Sequence, residues 1–315
     1  MSIIDRLRAR VPGPRPPADG FAFPADPDRD PDRLARILAR PAPGTTYCIH
    51  FTPRSGSSWL TGLLSATPHL SRPGEYFNPN LMPGAVAAMA AGDLDAYVDA
   101  LARRFNTHGV FGFEITQPQL ERVFGSVAAF DRHFGAAARI WLIREDIVAQ
   151  AVSLDRMVRT GLAHSVGPRG GPPPVRASDG DYAYDAAAIA AQIDHIRGIE
   201  RATEAMLAAG GHPVLRLSYE AMMARRPLAT VRSVQRWLAV RPREGWEDAA
   251  PHHEKVGTDR NAAFAARFRD AHPERIAALE RERAAMIAAV VRVPRDVPRG
   301  GGVGGDRNRE GRSGA

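Results

Sequence analysis

A run of hydroxyl side chains, one glycine and one arginine is the part of this sequence best suited to holding an anion. It reads Thr-Pro-Arg-Ser-Gly-Ser-Ser over residues 52–58, between a strand-like segment at 47–51 and an apolar helical pattern that begins at Trp59. In such a turn the backbone N–H groups point into the loop, and the dipole of the following helix adds positive potential. Arg54 adds a fixed charge and a planar fork of donors. The segment therefore predicts a site for a phosphate-bearing ligand.

The familiar nucleoside triphosphatase pattern, G-x-x-x-x-G-K-[ST], is absent from this loop. Gly56 is followed by Ser57, where the pattern requires lysine, so the lysine and the Mg²⁺-binding hydroxyl of that pattern are not both present. A metal-dependent P-loop kinase is disfavoured but stays open as an alternative, as does a non-catalytic nucleotide-binding or interaction protein. We expect no metal site, because His252 and His253 in a chain with one cysteine make a poor ligand set.

The elements that must position this loop alternate between short apolar strands and helices. We expect strands near 47–51, 110–116, 138–143 and 213–219, and helices near 32–40, 57–66, 84–91, 93–105, 146–159, 185–209, 228–238 and 273–290. The alternation predicts an α/β fold, a three-layer, P-loop-like parallel sheet flanked by helices. Ligands of such sheets gather at the carboxyl ends of the strands, where Arg54 and Arg144 fall.

Charge and composition narrow the class of partner. The chain has 315 residues with a net charge of +7, and much of the excess lies in its ends. Residues 1–43 hold eight arginines and six aspartates, and 292–315 hold six arginines and three acids. We therefore expect no nucleic-acid partner, and no apolar run approaches the roughly 20 residues of a membrane helix. The single Cys48 excludes an internal disulfide and predicts a cytoplasmic protein.

The same composition predicts three parts of the chain. Residues 1–43 form a Pro/Arg-rich extension expected to be partly disordered, 44–291 form the folded domain, and 292–315 form a disordered Gly/Arg-rich tail. Within the domain, 161–181 is long and rich in glycine and proline, as lids and binding loops often are; disorder is the alternative.

The loop resembles the 5′-phosphosulfate loop of sulfotransferases, which is written P-K/R-S-G-[ST]-[ST]-x-L. The wider pattern resembles the bacterial Stf0-type sulfotransferases, and the resemblance covers about residues 45–270. It rests on Thr-Pro-Arg-Ser-Gly-Ser-Ser at 52–58, Arg-Pro-Gly-Glu-Tyr-Phe at 72–77, Val-Phe-Gly-Phe at 110–113 and Arg-Glu-Asp-Ile-Val-Ala-Gln-Ala-Val-Ser-Leu at 144–154.

The resemblance implies a PAPS-dependent enzyme (PAPS is 3′-phosphoadenosine 5′-phosphosulfate) that sulfates a hydroxyl of a carbohydrate-containing or other small acceptor without a metal. It implies that Glu75 is the catalytic base and that Arg54 stabilises the transferring group. The residues it assigns to the donor are Arg54, Ser55, Gly56, Ser57, Ser58, Trp59, Arg144, Ser153 and Lys255. Arg144 and Ser153 would hold the 3′-phosphate, and a homodimer is possible.

Three positions leave alternatives open. Glu114 stands where relatives often carry a basic residue, and it would bind sugar hydroxyls, replace Glu75 as the base, or pair with an arginine; we favour binding or pairing. Trp59 would either stack on adenine or belong to the core. The spacing from Arg144 to Ser153 is one residue longer than in the cytosolic sulfotransferases, which leaves the exact hydroxyl donor open.

Overall fold

In the described part of the chain, four parallel strands form one sheet in the order β2-β1-β3-β4. The computed structural model describes residues 21, 23, 30–161, 182–241 and 258–291. The strands are β1 (Thr45–Phe51), β2 (Val110–Ile115), β3 (Ala138–Ile143) and β4 (Val214–Ser218). The chain enters β1 in the middle of the sheet and places β2 and β3 on either side of it, so the carboxyl end of β1 lies at a topological switch point. The expected α/β fold is confirmed.

Twelve helices accompany the sheet in the described ranges. They are α1 (Pro31–Leu38), α2 (Ser57–Ser65), α3 (Met82–Met89), α4 (Leu94–Arg104), α5 (Gln117–Phe124), α6 (Val127–Phe134), α7 (Ile147–Thr160), α8 (Ala186–Gly210), α9 (Tyr219–Met223), α10 (Pro227–Trp237), α11 (Asp259–Ala271) and α12 (Pro273–Ala288). None of these helices is both long enough and apolar enough to cross a membrane.

The helices cover both faces of the sheet, as a three-layer fold requires. Tyr47, Ile49 and Phe51 of β1 pack with α2 and α10 on one face. Cys48, fully buried, faces the other side with the aromatic core of β2 and helices α3–α6. Gly112 of β2 lies opposite Tyr47, and a Cβ atom there would come within 2.1 Å of the tyrosine ring, so only glycine fits. These packed faces fix the ends of the strands against one another.

All four strands lie where the sequence predicts them, within one or two residues at each end. Four helices, α5, α6, α9 and α11, are absent from the sequence interpretation. The start of α5 was readable, because Thr116 caps it, Pro118 lies in its first turn and Gln119 completes a capping box. Residues 1–20, 162–181 and 292–315 lie outside the described part of the chain, so the expected extension, lid and tail stay predictions.

Candidate active site

The loop after β1 has the backbone shape of an anion cradle. β1 ends at Phe51, and Gly56 precedes α2 with φ 89°, in the left-handed region that glycine adopts without strain. Arg54 also has a positive φ, 65°, which is uncommon for a residue with a side chain. The Oγ of Ser55 is buried and has no hydrogen-bond partner among the residues that the structure describes, so these residues leave one polar atom of the loop unsatisfied.

A buried glutamine on α7 holds this loop against the sheet. Gln150 is fully buried, and its Nε2 donates to Thr52 Oγ1 and to the carbonyl of Pro53, both at 2.8 Å. These two bonds fix the chain just before Arg54, where the strand stops and the loop begins. Sequence reasoning missed this residue, because nothing local to Gln150 shows that its partners lie 97 and 98 residues earlier.

Three arginines bring positive charge to the same end of the sheet. Burial lowers the pKa of Arg54, and the neighbouring charges of Arg144 and Arg156 lower it further. Arg54 Nε donates to Ser153 Oγ at 3.0 Å, so α7 contributes both Ser153 and Arg156 to this cluster. Like charges repel unless an anion lies among them, so the arrangement is suited to a ligand with more than one negative charge.

Arg144 follows β3 directly and is oriented by the residues after β4. Its guanidinium carbon lies 5.0 Å from the centre of the Tyr219 ring, and its Nε lies 3.7 Å from Glu220 Oε1. The same tyrosine ring lies against Gly56, where a Cβ atom would approach it to 2.6 Å. Tyr219 therefore contacts both Arg144 and the loop, the two groups expected to bind the donor.

Glu75 lies in the turn between α2 and α3, at the edge of the same site. Its Oε2 accepts hydrogen bonds from Asn78 Nδ2 and Gln119 Nε2, both at 2.8 Å. Its other carboxylate oxygen has no partner within the described ranges. The turn is fixed to the sheet because the backbone N–H of Glu114 donates to the carbonyl of Gly74 at 3.0 Å. Glu75 is thus a half-buried carboxylate with one oxygen oriented and the other available.

Glu114, on β2, is a second carboxyl group beside the first. It is 5% exposed, and burial, with the negative charge of Glu75 as the next cause, raises its pKa to about 8 against the opposing effect of a hydrogen bond with Ser57. At neutral pH it is mostly protonated, and its buried Oε2 has no hydrogen-bond partner in the described ranges of the chain. No arginine pairs with Glu114 in the part of the chain that the structure describes, so pairing, one of the two favoured alternatives, finds no support there.

One protein-family model matches the part of the chain that forms this site. The model of the family described as Stf0 sulphotransferase matches residues 46–271. The chain belongs to the Stf0 sulfotransferase family. A comparison with curated proteins gave no match. The matched range contains the loop, both carboxyl groups, Arg144 and Ser153, so the sulfotransferase region is the region that forms the site.

Most of the predicted site residues of this sulfotransferase lie at the same edge of the sheet. Residues 54–58 and Glu75 lie together at the carboxyl ends of β1 and β2, while Arg144 follows the adjacent β3. Ser153 contacts Arg54, which the sequence did not indicate. Trp59 is half-buried and packs against the core cluster of α2 and α10, which supports the core alternative without excluding stacking by its exposed part. Lys255 lies outside the described residues.

Sequence reasoning also missed the amides that orient the carboxylate. Asn78 lies three residues after Glu75, and its hydrogen bond was readable only as a local turn. Gln119 lies 44 residues away and reaches Glu75 because the capping box fixes the first turn of α5. A glutamine in a capping box is usually explained by the helix terminus alone, so its second contact gave no signal in the sequence.

Proposed function

We propose that this sulfotransferase uses PAPS to sulfate a hydroxyl group of a carbohydrate-containing or other small-molecule acceptor. The observation that supports this most directly is the placement of Glu75 and of the arginine cluster at the same edge of the sheet. A carboxylate beside a site for a multiply charged anion suits transfer from an anionic donor to a neutral hydroxyl.

The described residues fit such a donor. The N–H of Ser55 donates to the carbonyl of Thr52, which leaves the N–H groups of residues 56–58 at the N-terminus of α2, together with the Ser55 hydroxyl, for a 5′-phosphosulfate. Arg144, one strand away, offers a planar fork of donors to a 3′-phosphate. Ser153 accepts from Arg54 and keeps its own proton to donate, which suits a position between the two anionic groups.

In this proposal Glu75 acts through its unpartnered oxygen. The acceptor hydroxyl gives its proton to that oxygen as its own oxygen bonds to sulfur, because an alcohol is a poor nucleophile at neutral pH. The bound donor supplies the sulfuryl group, and the bond from sulfur to the phosphate oxygen breaks with its electrons remaining on adenosine 3′,5′-bisphosphate. Arg54 and the loop N–H groups stabilise the negative charge on the oxygens around that bond.

Glu114 has a different role in the same scheme. Protonated, it adds no negative charge close to the anionic donor, and it can donate one hydrogen bond to an acceptor hydroxyl or to a sulfuryl oxygen. The two carboxyl groups thus have different roles in the proposal: the half-buried Glu75 accepts a proton, and the buried, protonated Glu114 donates a hydrogen bond. This places Glu114 with the binding residues rather than with the base.

An acceptor screen tests the function directly. The purified protein is incubated with PAPS and panels of sugars, glycosylated metabolites and simple alcohols, and products are examined by mass spectrometry for the mass increase of one SO₃ unit. Sulfated product without added Mg²⁺ supports the proposal. Failure of every acceptor to gain SO₃ from PAPS would contradict the proposed donor or the proposed acceptor class. Cytoplasmic location and a homodimer stay predictions, the first resting on the one buried cysteine.

A further inference from the structure

Helix α12 lies beyond the range that matches the family model, yet one of its side chains reaches the donor end of the site. Arg283 is 2% exposed. Its Nη2 donates to the carbonyl of Arg144 at 2.5 Å, and its Nη1 donates to the carbonyl of Glu145 at 2.6 Å. These carbonyls follow β3 directly and include that of the residue proposed to hold the 3′-phosphate, so α12 contacts the backbone that carries Arg144.

The charge of Arg283 is balanced inside the core and is not directed at a ligand. Glu200 of α8, fully buried, accepts from Arg283 Nε at 3.0 Å and from Arg283 Nη2 at 2.8 Å. Arg197 also pairs with Glu200, through the same oxygen, Oε2, that accepts from Arg283 Nε. A fully buried ion pair of this kind needs its remaining donors satisfied, and in Arg283 the two backbone carbonyls satisfy them. Arg283 therefore restrains the backbone at residues 144 and 145.

The backbone N–H groups of the same turn are held from the other side. Glu220 accepts from the backbone N–H of Glu145 at 2.8 Å and of Asp146 at 3.2 Å, while its Oε1 also lies beside Arg144. Carbonyls and N–H groups of residues 144–146 are thus bonded by two side chains of opposite charge. This leaves the turn little freedom, and the direction in which the Arg144 side chain leaves the sheet is set by it.

We propose that Arg283 is a positioning residue for donor recognition, which acts by holding the carbonyls of Arg144 and Glu145 so that the Arg144 guanidinium meets the 3′-phosphate. The inference rests on the proposed function, and it extends the nucleotide site to a helix outside the matched range 46–271. Arg283 itself does not touch the nucleotide in this proposal. Its loss is expected to weaken recognition of the 3′-phosphate selectively rather than nucleotide binding in general.

The chain offers a matched control for this proposal. Arg197 and Arg283 are both buried arginines that share Glu200, but only Arg283 contacts the turn after β3. Arg283→Met and Arg197→Met each remove one cation and leave Glu200 with the other. The milder pair, Arg283→Lys and Arg197→Lys, keeps the charge, but the three donors of an ammonium cannot reproduce the four hydrogen bonds of Arg283. The lysine pair covers the case in which a methionine variant does not fold.

The measurement is the affinity for adenosine 3′,5′-bisphosphate divided by the affinity for adenosine 5′-monophosphate, determined by calorimetry. We expect this ratio to fall about tenfold in the Arg283 variants, the effect of losing one hydrogen bond to a charged group, and to be unchanged in the Arg197 variants. Equal ratios in all folded variants would make Arg283 merely structural and overturn the inference alone. No preference for the bisphosphate in the unaltered protein would overturn the 3′-phosphate assignment as well.

Discussion

Arg54 and Ser153 are joined by a hydrogen bond of 3.0 Å between Nε and Oγ, although 99 residues separate them. The bond connects the loop after β1 to the second turn of α7. It means that the side chain expected near the transferring group and the hydroxyl expected near the 3′-phosphate belong to one network. The two ends of the donor would therefore be held by residues that orient each other.

Arg54→Ala tests the electrostatic part of the reaction. We expect turnover to fall by about a hundredfold or more, the usual effect of removing one group that stabilises transition-state charge. Affinity for adenosine 3′,5′-bisphosphate should change less, because that product lacks the sulfuryl oxygens. Rates and calorimetric affinities are measured together with circular dichroism, and normal turnover in a folded variant would remove Arg54 from the chemistry.

Arg144→Ala tests recognition of the donor in the otherwise unaltered chain. Saturating adenosine 3′,5′-bisphosphate should raise the melting temperature more than adenosine 5′-monophosphate, since ligand at about 100 times its Kd adds about 2.7 kcal/mol to the free energy of unfolding. In the variant the two nucleotides should give nearly equal shifts. Nearly equal shifts in the unaltered protein would instead mean that the 3′-phosphate is not recognised.

Glu75→Gln separates proton transfer from shape. Glutamine keeps an oxygen that can accept from Asn78 and Gln119 but cannot take a proton, so turnover should fall about 10²–10⁴-fold with little change in donor affinity.

Glu114→Gln is the companion variant, because that side chain is also a carboxyl group at the same edge. A small loss of turnover is expected, since glutamine can still donate a hydrogen bond as the neutral acid does. A large loss at 114 with a small one at 75 would move the base to Glu114. Acceptor affinity is measured in both variants, so that lost binding is not mistaken for lost proton transfer.

The raised pKa of Glu114 also predicts a pH dependence of stability. Its pKa rises from 4.5 when unfolded to about 8 when folded, so the native state holds an extra proton between those values. The free energy of unfolding contributed by this group is fully present below pH 4.5 and is lost as pH rises to about 8; each pKa unit corresponds to about 1.4 kcal/mol.

Comparison with Glu114→Gln isolates that contribution. The buried His50, whose pKa burial lowers to about 3, acts in the opposite direction between pH 3 and 6.5 and is present in both proteins. Chemical unfolding at pH 5 and pH 8 should therefore show the variant gaining several kcal/mol relative to the unaltered protein at the higher pH. A constant difference across that range would mean that Glu114 is ionised in the native state.

Local chemistry explains why the sequence predicted the loop and the strands. Pro53 ends the hydrogen-bonded ladder of the strand, small residues follow it, and the apolar pattern then changes from that of a strand to that of a helix. These local signals are enough to predict that Arg54 and Gly56 lie in a loop between the two elements. The protonation of Glu114 was not predictable, because it depends on the register of β2 beside β1 and on the turn that carries Glu75.

Contacts between distant segments account for the rest of what the sequence did not predict. Arg283 bonds to a carbonyl 139 residues earlier, and Gln119 to a carboxylate 44 residues earlier. In an arginine-rich chain, nothing distinguishes the first from a surface charge until α8, α12 and β3 are packed together. Residues that orient a site through its backbone carry no motif of their own.

The burial of Cys48 in the central strand has a practical consequence. It is the only cysteine among the 315 residues and is fully buried, and burial raises the pKa of its thiol to about 12. A thiol reagent in solution can therefore modify the native protein only when β1 opens, and the rate of labelling reports the fraction of molecules in that open state. Labelling of Cys48 thus measures how often the sheet opens at β1, without an engineered cysteine.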